Sequence, residues 1–312
     1  MRIVDVIVLL LLIIALGLGA YVFWLMTPNE NVAYQQIQQN LPSSIAGQQE
    51  EASGNVVQFY PNMRFRDKNI SYRLESTCTQ DKWIDIQRAF DVISEKTVLS
   101  FYNTKEEPEI KVMCSEIAPK AEERGHFIAG EGGPSEIINT SNYAVIINGK
   151  ISLYRGERCQ EPKIAIHEIL HALGFEHYNS TTSILYPITG CQQQIDQEII
   201  DDIDRLYKAK SLPDLTIKGV SANRTGRYLS FEINISNEGL KNSENSELEV
   251  YAGNEKVTNF TIGKLDIGTK KTLIVSNAKL PRTFEGLSFA VNSEEGELTL
   301  ANNRIEMSAV QG

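Results

Sequence analysis

The segment His167-Glu168-Ile169-Leu170-His171-Ala172-Leu173-Gly174-Phe175-Glu176-His177 constrains this chain more than any other. His167 and His171 stand four apart, so on a helix they share one face and can hold one metal ion together. Two imidazoles leave a catalytic metal site one protein ligand short. Gly174 comes three residues after His171, where a helix can end in a left-handed turn that Cβ-bearing residues resist. The chain then doubles back, and His177 can bring the third nitrogen. Glu168 projects beside the ligand face and is the candidate general base. Ile164, Ala165, Ile169, Leu170, Leu173 and Phe175 also fit a buried helix, so scaffold and site share the same residues. A structural site would usually be Cys-rich and closed by a fourth protein ligand, which this set is not.

At these residues the chain resembles the metzincin metalloproteases, and within them looks most like the matrixins, over roughly Asn69 to Lys208. A second matching segment, Ser183-Ile184-Leu185-Tyr186-Pro187, follows the matrixin turn pattern with Leu185 where a methionine is usual. Leu and Met have similar volume, so the swap is tolerated as packing. Tyr178 stands where matrixins usually have Ser, so the likeness to metzincins is firmer than that to matrixins.

The resemblance implies an α+β catalytic domain with a mixed sheet and a zinc-binding helix. It further implies one Zn²⁺ held by His167, His171 and His177, and hydrolysis of protein or peptide substrates. Glu168 would take the proton from the activated water and pass it to the leaving amine. The competing reading is a weakly active or inactive cell-surface adhesion or binding protein on the same scaffold, with Leu185 and Tyr178 its only support. Tyr186 reads as turn packing and His126 as an ordinary residue. Gly130 to Pro134 reads as a flexible loop near the cleft; a calcium ion beside it has no support in the sequence.

Flanking patterns predict the rest of this domain. Ile70 to Leu74 alternates like a strand, Asp81 to Phe101 reads as a helix, and Glu109 to Cys114 as a second strand. Tyr143 to Ile147 and Lys150 to Tyr154 flank Asn148-Gly149, which predicts a hairpin with a type I′ turn. Its first strand is a candidate edge for aligning an extended substrate. Asp196 to Lys208 reads as the closing helix. Cys78, Cys114, Cys159 and Cys191 permit three pairings. Cys78 with Cys114 and Cys159 with Cys191 is preferred, because the second bond would staple the histidine helix to the turn below it.

Val6 to Met26 carries no charge and is long enough to span a bilayer, with Tyr21, Phe23 and Trp24 at its outer end. Arg2 precedes it and the next basic residue is Arg64, which predicts a cytoplasmic N-terminus and an extracytoplasmic remainder. A cleaved signal peptide is the rival, but its apolar core would be unusually long. We therefore divide the chain into a transmembrane anchor at 1–27, a polar stalk at 28–60, the metzincin-like domain at 61–210 and a β-sandwich at 211–312. A short helical piece is an option around Tyr34 to Leu41.

In the last division Leu229, Phe231, Ile233 and Ile235 alternate with polar residues, and further strands are expected at 247–251, 257–262, 272–275, 287–291 and 297–300. Pro213-Asp214-Leu215-Thr216-Ile217, Ile235-Ser236-Asn237-Glu238-Gly239, Leu265-Asp266-Ile267-Gly268 and Ala301-Asn302-Asn303 resemble the cell-adhesion-related (CARDB) domain of bacteria and archaea, an immunoglobulin-like module. The resemblance implies no catalysis there; binding to a surface or protein, or plain spacing, are its options. The chain has 40 acidic against 30 basic residues and a net charge of −10, which disfavours nucleic acid as a partner.

Overall fold

The computed structural model describes residues 12–19, 21–22, 31–36, 58–120 and 128–310. Of the expected span, 12–19 and 21–22 are helical and the rest lies outside the described residues. Among the described residues no helix is long and apolar enough to cross a membrane. His126 and most of the expected stalk also lie outside them. The described parts of that stalk are residues 58–60, where Gln58 bridges to Phe175, and strand β1 (Asn31–Gln36), where the sequence suggested an unstructured segment or a short helix. β1 belongs to the C-terminal sheet, and Tyr34 packs against that core.

The first layer of the histidine-bearing unit is a parallel sheet in the order β2 (Met63–Phe65), β7 (Ala144–Leu153), β5 (Ile110–Cys114), β3 (Asn69–Leu74), β4 (Ser100–Asn103). The antiparallel strand β6 (Gly130–Asn139) joins β7 on its other side. Helix α1 (Gln80–Lys96) buries Lys82, Ile86, Ala89, Phe90 and Ile93, the spacing of one helical face. It stops five residues before the predicted end. Thr97 turns extended, its hydroxyl donates to Ile93 O at 2.9 Å, and the chain leaves to pair with β3 as β4. Helix α2 (Lys163–Ala172) carries the histidines, and α3 (Gln197–Leu206) closes the unit.

Three expectations fail in this sheet. Asn148 and Gly149 form no hairpin turn; they lie inside the continuous strand β7, where Gly149 is paired with Ile110 on one side and Pro134 on the other. Pairing along both edges outweighs the local turn preference. The glycine serves close packing instead, since a Cβ there would stand 3.3 Å from Phe65 Cζ. The expected loop Gly130 to Pro134 is the start of β6, so β6, and not the segment Tyr143 to Ile147, whose residues 144–146 pair with β2 and β6, forms the sheet edge.

The C-terminal strands are β8 (Leu215–Thr225), β9 (Tyr228–Asn237), β10 (Ser246–Ala252), β11 (Glu255–Thr261), β12 (Lys270–Lys279), β13 (Leu287–Ser293) and β14 (Arg304–Ala309). Their order is β11-β10-β13-β14-β1-β8-β9-β12, with neighbours antiparallel. Phe231 of β9 meets Phe289 of β13 at 4.9 Å and Phe260 of β11 at 5.8 Å between ring centroids, so the two ends of this sheet face each other across a core. β1 bridges them between β14 and β8. Residues 297–300 are not a strand as expected. Glu297 instead turns inward to accept from Leu215 N (2.6 Å), Ser293 N (3.0 Å) and Asn303 Nδ2 (2.8 Å), and the last strand follows at β14.

Candidate active site

The local sequence builds α2 and its exit. Leu173 N donates to Ile169 O at 2.9 Å and Gly174 N to His171 O at 2.9 Å, after which the chain turns at Gly174 with φ of 101°. Glycine is needed there twice over, because a Cβ would also stand 2.6 Å from Met63 Cγ. The reversal brings His177 to His167 and His171, with ring centroids 5.3 and 4.7 Å away. The ligand atoms of the three rings lie within 4.8 Å of one another.

The tautomers follow from the partners. His167 Nδ1 lies 2.6 Å from Ile184 O, and His171 Nδ1 lies 2.6 Å from Phe175 O. A carbonyl only accepts, so each Nδ1 carries the proton and each Nε2 presents a lone pair. Those two Nε2 atoms are 2.9 Å apart. Two acceptors facing at that distance repel, and a cation at their convergence removes the conflict. Burial, with neighbouring histidines adding to it, lowers His167 to about 3 and His171 to about 4. Burial lowers His177 as well. The rings are therefore neutral near pH 7, the form that ligates metal. The donor set fits zinc: three imidazoles, two of them oriented by carbonyl partners.

The segment expected beneath the site is there. Leu185 is 1% exposed within the hydrophobic core of this unit. Tyr178 N donates to Leu185 O at 3.0 Å, and Ser183 Oγ accepts from Leu185 N at 3.1 Å while donating to Asp196. Ile184, one residue away, supplies the carbonyl for His167, so this turn orients a ligand as well as filling space. Tyr186 is half-buried and stands outside the histidine cluster. Both preferred disulfides are formed, Cys78–Cys114 and Cys159–Cys191.

Glu168 is 6% exposed, and burial, followed by the Glu131 charge, raises it to about 8. Its carboxylate lies against β6: a Cβ on Gly130 would stand 2.8 Å from Glu168 Oε1, and one on Gly132 would stand 2.0 Å from Glu168 O. Glu131 accepts from Tyr154 Oη at 2.6 Å. Sequence reasoning missed this wall of Gly130, Glu131, Gly132 and Tyr154. The available signal was glycine density, which marks close backbone approach as readily as a loop.

Residues 64–208 match the Matrixin family, and residues 212–296 match CARDB. No curated protein matches the chain. Among solved structures, the CARDB domain of a Pyrococcus furiosus protein in complex with di-metal ions aligns at 20% identity and a TM-score of 0.25, covering 32% of this chain and 90% of its own. High choriolytic enzyme 1, a hatching-enzyme zinc protease from Oryzias latipes (medaka fish), aligns at 20% identity and a TM-score of 0.23. That alignment covers 36% of this chain and spans less than half, 46%, of the medaka enzyme. The histidine triad and the two family matches together support a zinc metallopeptidase, with a metzincin-like catalytic domain followed by a C-terminal β domain of the CARDB kind.

Proposed function

We propose that this protein is a membrane-anchored, zinc-dependent endopeptidase acting on extracytoplasmic proteins. The observation that carries the catalytic part is the convergence of three neutral imidazoles beside a buried carboxylate. His167, His171 and His177 hold the ion. Zinc, when bound, supplies Lewis acidity that activates water and polarises a carbonyl near neutral pH. A dication at the triad favours the ionised form of Glu168, which is the form a base must take. Glu168 accepts the proton from the attacking water and delivers it to the leaving amine. Burial against β6 keeps bulk water off its carboxylate. An extended substrate lies along the outer edge of β6, where main-chain pairing aligns it without demanding particular side chains.

The charge-free run Val6 to Met26, and the exposed apolar side chains at Leu12, Ile13, Ile14, Leu16 and Leu18, support an anchor, and Arg2 with no further basic residue until Arg64 supports a cytoplasmic N-terminus. Residues 61–210 then act as the catalytic unit, and 211–312 together with β1 as an accessory unit that binds a surface or protein. Tethering raises the concentration of neighbouring substrates, so broad peptide specificity suffices.

The test compares wild type with Glu168→Ala, both loaded with zinc, on an unfolded protein substrate. Wild type should cleave, and the variant should keep its metal while losing at least ~10²-fold in kcat/KM. Equal inactivity of both would favour a binding protein on this scaffold.

A further inference from the structure

Strand β6 is held at both ends by groups that lie outside its own ladder. At its start, Gly130 and Gly132 press on Glu168. At its far end, the loop after Asn139 enters the C-terminal domain. Ser141 N donates to Glu238 Oε2 at 2.6 Å, and Lys218 Nζ reaches Ser141 Oγ at 3.1 Å and Glu238 Oε1 at 2.9 Å. Ser236 Oγ donates to Glu238 Oε1 at 2.7 Å, so the carboxylate is fully engaged. Burial pushes Glu238 up, but the hydrogen bonds from Lys218, Ser141 and Ser236 outweigh it and hold the carboxyl near 2. Around this latch, Val145, Leu240 and Ile267 form an apolar cluster with Ile138, Tyr143 and Ile147 packed on it. Gly268, with φ of 69°, lets Ile138 close to where a Cβ would stand 2.5 Å from Ile138 Cγ2.

Left to itself β6 is a weak strand. It pairs only with β7 among the described strands, and Pro134 lacks an N–H for the ladder. Its register shifts between Pro134 and Glu136, and again between Glu136 and Ile137. An edge strand with three glycines, a proline and two register irregularities gains its position from what grips its ends. Its ten residues carry that grip about 30 Å, from Ser141 to Glu168.

We propose that Glu238 is a positioning residue for the active site: by holding Ser141 it fixes the far end of β6, so the C-terminal domain sets the edge along which substrate lies. This rests on the hydrolase reading above for its catalytic consequence, but its structural consequence stands apart from that reading. The accessory domain is then part of the substrate-binding apparatus as well as a spacer or adhesion module.

The experiment uses the full zinc-loaded chain with Glu238→Ala, Lys218→Ala and the conservative Glu238→Gln, which keeps an acceptor for Ser141 N. Amide hydrogen exchange across residues 131–139 should quicken ~10-fold in Glu238→Ala, while α2 keeps its protection and the zinc content stays at wild type. KM for an unfolded protein substrate should rise ~5-fold with kcat changed less than ~2-fold, because uniform binding is lost and the chemical step is spared. Glu238→Gln should recover most of both effects. A variant whose β6 exchange and KM equal those of wild type overturns the proposal. If Glu238→Ala fails to fold, Lys218→Ala reads the same latch from a partly exposed side chain. Should zinc-loaded wild type prove inactive, the hydrolase reading falls, and the exchange comparison alone decides the coupling.

Discussion

The catalytic unit and the C-terminal β domain secure their folds by different means. The catalytic unit packs α1, α2 and α3 on its sheet and ties its loops with two disulfides, each closing a loop of 32 to 36 residues. The β domain holds no cysteine. It is organised by facing aromatics and by inward polar groups such as Glu297 and Asn303. It also recruits β1, which ends at Gln36, 179 residues before β8 begins at Leu215, so the catalytic unit is inserted between two parts of one sandwich. The lesson is that constraint lies close in sequence where chemistry demands geometry, and far away where only an open edge needs covering.

The contrast between the two units is most exposed at β6. Gly132→Ala would drive a Cβ into the Glu168 backbone, so kcat/KM should fall by at least ~10²-fold through loss of the productive geometry. Gly133→Ala meets nothing within 4 Å and should stay near wild type. If both variants keep full activity, the wall is not part of the site.

The next effect separates the two units. Replacing Cys159 and Cys191 together by Ser should destabilise the catalytic unit by about 3 kcal/mol and leave the β domain unchanged, read as two transitions in denaturant. The reverse result is expected on removing residues 1–57. The β domain loses β1 and the partly buried Tyr34, so its melting temperature should drop by roughly 10 °C, corresponding to about 2 kcal/mol. An unchanged β domain would show that β1 is an ornament of the sheet and not a component.

A smaller effect is carried by pH. Burial raises Glu297 to about 7, even though Leu215, Asn303 and Ser293 donate to it. A carboxyl raised above its ordinary 4.5 binds its proton more tightly folded than unfolded. Its contribution to stability is thus complete below about 4.5 and disappears as pH rises through about 7. Carbon-detected titration should place the Glu297 midpoint near 7, and a midpoint near 4.5 would contradict the burial argument. The smallest change is Leu185→Met, which restores the usual turn residue at similar volume and should move stability by less than ~1.5 kcal/mol without altering metal content.

How much could be read beforehand differs by residue. His167, His171, His177 and Gly174 were legible because a metal site needs particular side chains at particular spacings, whereas the cysteine pairing was a preference among three that the structure settled. Asn148-Gly149 misled, since a local turn preference is overridden when a strand finds partners along both edges. The Gly130 to Pro134 segment misled in the opposite sense, because glycine chosen for close contact looks like glycine chosen for flexibility. β1 was illegible: six polar-rich residues have no periodicity of their own and become a strand only between β8 and β14.

The amino-acid order by itself determined the histidine constellation, its carboxylate, the turn beneath it and the presence of a second, β-rich unit. All of these rest on side-chain chemistry or period, which the chain states locally. That β6 walls the carboxylate, that Glu238 grips its far end and that β1 completes the sandwich emerges from the folded arrangement alone. Those depend on which open edges, and which donors and acceptors far apart in the chain, meet in space, and no local pattern announces such distant partners.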